Sequence, residues 1–140
     1  MAESAAKLAV GSRLGPERLE MTLDKMKLYE NWPAEKNLHC DDEVAKSLGL
    51  PQPICRALMF SVAVDKMLYR AFGPDYLQRN KLSLKYLKAV FPGDICTAHG
   101  EVSGAEAGAG ATSYTVEVWI ENRKNETVAS GQAEIVAAGA

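Results

Sequence analysis

His39 stands in the polar stretch NWPAEKNLHCDDEVAKSLGL, residues 31–50, just ahead of a segment that reads as a capped helix. Imidazole is the side chain whose ordinary pKa lies nearest neutrality, so a histidine in such a loop is suited to taking a proton from a water or hydroxyl. The first question is which carboxylate helps it. Cys40 and Cys55 bracket the region, but a thiol nucleophile needs an adjacent base, and none is arranged for either; both read as small buried hydrophobes. Arg56 opens a long apolar run, where its planar guanidinium suits a phosphate or a carboxylate ligand and equally a plain salt bridge. A histidine before a helix is also a common capping or surface residue. His99, on a strand-like segment, reads as exposed and structural.

These side chains need a scaffold, and composition bounds it. The chain has 140 residues, 47% of them hydrophobic and 24% charged. That is one soluble globular domain with a core of its own. A net charge of -2, with scattered lysines and arginines, leaves no electrostatic footprint for nucleic acid. No apolar run approaches the roughly 20 residues that span a bilayer, and no secretory pattern is visible, so the expected location is cytoplasmic. Three cysteines, Cys40, Cys55 and Cys96, at spacings that match no zinc motif read as reduced thiols. Neither a metal nor any other cofactor is expected.

Residues 1–13 read as a flexible end and 14–140 as the domain, with order setting in near Arg18. Leu19, Met21 and Leu23 alternate as in a strand. DKMKLYENW is a short helix with Asp24 as cap and Pro33 as stop. Asp41 or Asp42 caps a second short helix, EVAKSL, and Gly49 fits the left-handed position after it. ICRALMFSVAVDKMLYRAF, free of Gly and Pro, is long enough to be a helix, with Ser61, Asp65, Lys66 and Arg70 as a narrow polar stripe on an otherwise apolar cylinder. Such a helix must be surrounded by protein.

The rest reads as strands. Leu82, Leu84 and Tyr86 alternate, then the parity shifts at Leu87, which predicts a β-bulge. FPGD is a type II turn. DICTAHGEV is a strand, GAEAGAGA a flexible loop, and NRKNE a polar turn. Tyr114, Val116, Val118 and Ile120 alternate with Thr115, Glu117, Trp119 and Glu121, and TVASGQAEIVA closes the sheet with a bend at Gly131. One long apolar helix followed by antiparallel strands predicts an α+β domain of the hot-dog type, a curved antiparallel sheet wrapped around one central helix.

From Leu14 to Val136 the chain also resembles the MaoC-like branch of the hot-dog superfamily, which includes (R)-specific enoyl-CoA hydratases and fatty-acid or polyketide dehydratases. NLHCDDEVAKSLGL resembles the family's N-P-x-H-x-D…A…G stretch, PICRALMF its P-I-A-H-G-M, and LKYLKAVFPGDICTAHGEV its R-F-x-x-P-V-x-P-G-D-T-L. The third is the most specific, with Pro92, Gly93 and Asp94 all present.

The resemblance implies a hydro-lyase acting on an acyl thioester, either acyl-CoA or an acyl carrier. An aspartate and a histidine of D-x-N-P-x-H hold and deprotonate a water that adds across a C=C bond, and a backbone N–H at the start of the long helix polarises the thioester carbonyl. His39 aligns with that histidine, whereas Ala34 replaces the aspartate and Lys36 and Asn37 the asparagine and proline. Three compensations are open: Glu35 moves in, Asn37 orients the water by a neutral hydrogen bond, or a carboxylate arrives from elsewhere. Arg56 and Ala57 replace the second motif's histidine and glycine, and with Cys55 they form the expected substrate-binding edge. The resemblance further implies a homodimer or a dimer with a related subunit. A thioesterase using Asp65 or Glu35, and a non-catalytic acyl-thioester-binding subunit, are the other two readings.

Overall fold

The computed structural model describes residues 8–138, and its first strand, β1, already runs over Arg13–Glu20. Order therefore sets in before Arg18, with Leu8 packed against the core; residues 1–7 of the expected flexible end lie outside the described residues. The expected alternation through Leu23 is divided between two elements. Met21 lies one residue past β1, where its N–H donates to the Asp94 carbonyl at 2.9 Å, and helix α1 (Leu23–Tyr29) begins directly after Thr22. The cap is Thr22, whose Oγ1 accepts from the Lys25 N–H at 3.2 Å, and not Asp24. A threonine at that position satisfies an N–H that the helix itself cannot. The helix also stops at Tyr29, ahead of Pro33.

Helix α2 (Asp42–Ser47) is capped by Asp41, whose Oδ1 accepts from the Val44 N–H at 3.1 Å, and Gly49 follows its end with φ +85°. Helix α3 (Ala57–Phe72) is the long helix, and α4 (Pro74–Gln78) is a short turn of helix that periodicity is too short to reveal. Strands β2 (Asn80–Tyr86), β3 (Ile95–Gly108), β4 (Ala111–Glu121) and β5 (Thr127–Ala138) complete one antiparallel sheet in the order β1-β3-β4-β5-β2. This is the hot-dog arrangement.

The core forms where α3 lies on the sheet. Phe60, Ala63, Val64, Met67, Leu68 and Phe72 are buried in one cluster with Val102, Val116, Val118 and Ile120, the inward residues of β3 and β4. Truncating any one of the larger of these side chains to alanine would cost about 2–5 kcal/mol. The helix is not enclosed all round, however. Leu58, Val62 and Tyr69 remain 64%, 42% and 46% exposed, so one side of α3 is open. Within the expected polar stripe, Ser61 is buried and donates to the Leu58 carbonyl at 2.9 Å.

One strand expectation is corrected. GAEAGAGA is not a loop: the β3–β4 ladder continues to Gly108↔Ala111, leaving only Ala109 and Gly110 as the turn, with Gly110 at φ +73°. Small residues hide strand character from composition, but backbone pairing needs no side chain. The expected bulge, by contrast, is present just past Tyr86. The β2–β5 register is regular to Tyr86↔Ala129, after which the Leu87 and Lys88 N–H groups both donate to the Val128 carbonyl. Two consecutive donors opposite one acceptor are the β-bulge that the parity change predicts, placed where the strand ends. In FPGD, Asp94 N–H closes on the Phe91 carbonyl at 3.1 Å and Gly93 sits at φ +89°, as a type II turn requires.

Candidate active site

The extended segment before α3 is the platform on which the His39 loop is built. The Ile54 N–H donates to the Leu38 carbonyl at 3.0 Å, and the Cys55 N–H donates to the Val90 carbonyl at 2.7 Å. Residues 54–55 are thus held between the loop on one side and the strand-like lead to the FPGD turn on the other. His39 is half-buried on this platform, with Nδ1 at 2.8 Å from the Ile54 carbonyl oxygen. A carbonyl oxygen can only accept, so Nδ1 carries a proton, and in the neutral ring the lone pair lies on Nε2. The ring is fixed in the tautomer that presents a base.

The loop is tightened by its own polar groups. Asn37 Oδ1 accepts from the His39 N–H at 2.8 Å, and the buried Cys40 thiol donates toward Asn37 and the Glu35 carbonyl at 3.6–3.8 Å. Asn37 therefore has its oxygen occupied in shaping the loop, while its NH2 group has no protein acceptor among the described residues. Trp32 Nε1 donates to Asp41 Oδ2 at 3.3 Å, closing the loop across its base. The Val44 N–H bond, followed by the Trp32 bond, holds the Asp41 carboxyl below the usual aspartate range. Glu35 and Ala34 are exposed on the outer bend.

Two residues beyond Ile54, Arg56 occupies the N-cap position of α3 with extended backbone and no side-chain cap, and the first turn carries no acid. The first N–H groups of the helix and the positive end of its dipole are therefore left for an incoming acceptor. Ala57 sits at this mouth, half-buried against the core. Arg56 does not project as a free cation. Its Nε meets Glu30 Oε1 at 2.5 Å, and the Glu30 side chain is only 10% exposed. Glu30 was invisible to sequence reading because 26 residues separate the partners and no local spacing signals the pair.

Cys55 packs inward, 4% exposed, away from the role of a substrate-facing side chain. Burial pushes both it and Cys96 up to about 12. All three thiols are buried and free. Ellman's reagent at pH 8 is expected to leave them unmodified in the native protein and to titrate all three once it is unfolded; a thiol that reacts in the native state would place that cysteine in an open cleft.

Asp65, the helix carboxylate, accepts from the Tyr76 hydroxyl at 2.5 Å and so ties α3 to α4. His99 is half-buried rather than freely exposed, stacked on Trp119 with ring centres 5.6 Å apart and Nε2 3.7 Å from Glu121. It lies on β3, paired across to Trp119. A cleft of about 340 Å³ lies beside that platform, lined among others by Gln52, Lys88, Phe91, Arg123 and Lys124. Among the described residues no cluster of three or more His, Cys, Asp or Glu side chains suited to a metal ion is present, and no helix is long and apolar enough to cross a membrane.

Comparison with known proteins agrees with this fold. The family model described as a MaoC like domain matches residues 9–124. No curated protein gives a significant sequence match. Among solved structures, a MaoC-like dehydratase from Rhodospirillum rubrum superposes with a TM-score of 0.76 at 18% identity, covering 95% of this chain and 94% of the other. An (R)-hydratase from A. caviae involved in PHA biosynthesis gives 0.74 at 19% identity, covering 96% and 100%. A chain of the ChsH1–ChsH2 complex from Mycobacterium tuberculosis gives 0.72 at 18% identity, covering 94% and 98%.

Proposed function

This chain belongs to the MaoC-like domain family, and on that premise we propose that it is a hydratase or dehydratase of an α,β-unsaturated acyl thioester, with His39 as its general base. The observation that carries the reading is the Nδ1–H bond of His39 to the Ile54 carbonyl, two residues ahead of the uncapped start of α3. It sets the imidazole against the segment that runs directly into a helix end that favours negative charge.

The chemistry follows from those two groups. Nε2 takes a proton from a water, and the resulting hydroxide adds to Cβ of the enoyl group. Electron density moves to the thioester oxygen, where the N–H groups at Ala57 and Leu58 stabilise it. The imidazolium then returns its proton to Cα, and the reverse sequence is dehydration. With Ala34 where the family has aspartate, the second hold on the water comes from the same loop, through the Asn37 NH2 or the Glu35 carboxylate. Lys88, Arg123 and Lys124 along the neighbouring cleft suit the phosphates of a carrier such as CoA, although Lys88 is shared with Glu126.

The chain also pairs with a second hot-dog subunit. Supporting this are the open apolar side of α3, the outer edge of β2, with which no strand pairs among the described residues, and the structural likeness to a chain that is itself part of a two-protein complex.

Crotonyl-CoA tests the activity. Incubation with the purified protein is expected to bleach the enone absorbance while free thiol stays constant. Thiol release would make the protein a thioesterase, and no change in either signal on crotonyl-CoA or longer enoyl-CoA substrates would remove the catalytic reading.

A further inference from the structure

The sheet has two edges, and they are not alike. At the β1 edge the register shifts between Leu14 and Glu17, around Gly15 and Pro16, so a proline and an irregular ladder block it. The β2 edge is regular, and among the described residues no strand pairs with its outer side.

That free edge is strongly positive. From Arg79 to Lys88 the chain carries Arg79, Lys81, Lys85 and Lys88 and no acid. Arg79, Lys81, Ser83 and Lys85 have the same parity, opposite to Leu82 and Leu84, which pack toward the core. Lys88 is paired with Glu126. Among the described residues Lys81 and Lys85 are exposed and have no acidic side chain within ion-pair distance, although Lys81 lies across from Glu134 in the β5 register.

Consider a second copy adding to this edge about a twofold axis, with its helix on the same side of the sheet. Engaging all seven residues of β2 centres the pairing on Ser83. Lys81 then faces Lys85 of the copy, and symmetry repeats the clash. Sliding the centre to Leu82 sets Lys85 against Arg79 of the copy. Sliding it to Leu84 avoids the opposition but engages only Leu82 to Tyr86 and gives up ladder bonds. Like charges directly opposite each other in a ladder are destabilising, whereas opposite charges there stabilise.

We infer that the β2 edge is built for a different chain, a related hot-dog subunit whose own free edge strand is acidic, rather than for a second copy of this one. The inference rests on the pairing proposed above, and it names the partner's chemistry. The open side of α3 supplies the apolar part of the same meeting, and the edge lysines supply the choice of partner.

A charge-swapped copy serves as the probe. In Lys81→Glu/Lys85→Glu both altered side chains are exposed, and a melt compared with wild type verifies that the variant folds. Sedimentation at micromolar concentration and low salt is expected to find each protein alone largely monomeric and the equimolar mixture dimeric, with association at least roughly tenfold tighter in the mixture. Wild type alone should begin to self-associate as salt rises, because screening removes the repulsion; this arm needs no variant. A wild-type homodimer that forms at low salt, and is no weaker there than at high salt, would overturn the charge rule while leaving the pairing intact. Absence of any dimer, even in the mixture, would overturn β2 as a pairing edge.

Discussion

Replacing His39 with alanine is expected to lower kcat for enoyl-thioester hydration by about 10²–10⁴-fold, the usual worth of a positioned general base. The ring's Nδ1–H bond to Ile54 and its half-buried setting mean that the change is not silent for the fold. The Ile54 carbonyl loses a partner, a loss of about 0.5–1.5 kcal/mol, which lowers the melting temperature by a few degrees at most. The two effects separate the roles. A base lost from the reaction leaves a folded, inactive protein, whereas a merely structural histidine would show the small drop in melting with kcat intact. Steady-state kinetics beside a thermal melt, on the enoyl thioester the wild type turns over best, reads both. Unchanged turnover would remove His39 from the mechanism.

Gly131→Ala is expected to destabilise the fold by about 3 kcal/mol or more, in the range reserved for steric failure inside a structure. A Cβ built at Gly131 falls 1.8 Å from the Ser83 carbonyl oxygen, 2.8 Å from its carbonyl carbon and 3.0 Å from Leu84 Cα. All three are backbone atoms of β2, so no side chain can swing aside. The alanine must push β2 away from β5, breaking the ladder around Ser83↔Gln132 and Leu84↔Gly131. Denaturant melts of the variant should show a large fall in midpoint or no folded baseline at all. Gly104→Ala is the matched control, because its Cβ would meet only Thr115 side-chain atoms at 3.5 Å, an ordinary contact. If Gly131→Ala melted within 1 kcal/mol of wild type, the close approach of β2 to β5 would be wrong.

Both predictions depend on features that local patterns announce only in part. His39 and the alanine five residues before it are plain in the chain, and the likeness of PGD and the surrounding apolar spacing to the MaoC-like pattern points to the family that the 9–124 match shows. Gly131 stands out as a glycine within a strand pattern. What it accommodates, the backbone of another strand, is a distance between residues nearly fifty positions apart.

The amino-acid sequence determined whatever a period or a cap can encode. Tyr114, Val116, Val118 and Ile120 are all buried as their alternation requires, Asp41 caps α2 with Gly49 behind it, and the apolar run after Cys55 is the long helix that packs on the sheet. Each of these follows from interactions within a few residues of the chain, where side-chain type and backbone preference agree. Tertiary structure alone decided the rest. The Glu30–Arg56 pair, the Ile54 carbonyl that fixes the His39 tautomer and the Asp65–Tyr76 bond join partners 11 to 26 residues apart. The strand through Gly104–Gly108 exists because β4 pairs with it, although its small side chains give no pattern of their own. A polar partner or a ladder neighbour is chosen by where the chain returns in space, and a sequence carries no local signal for that return until the core has packed and fixed it.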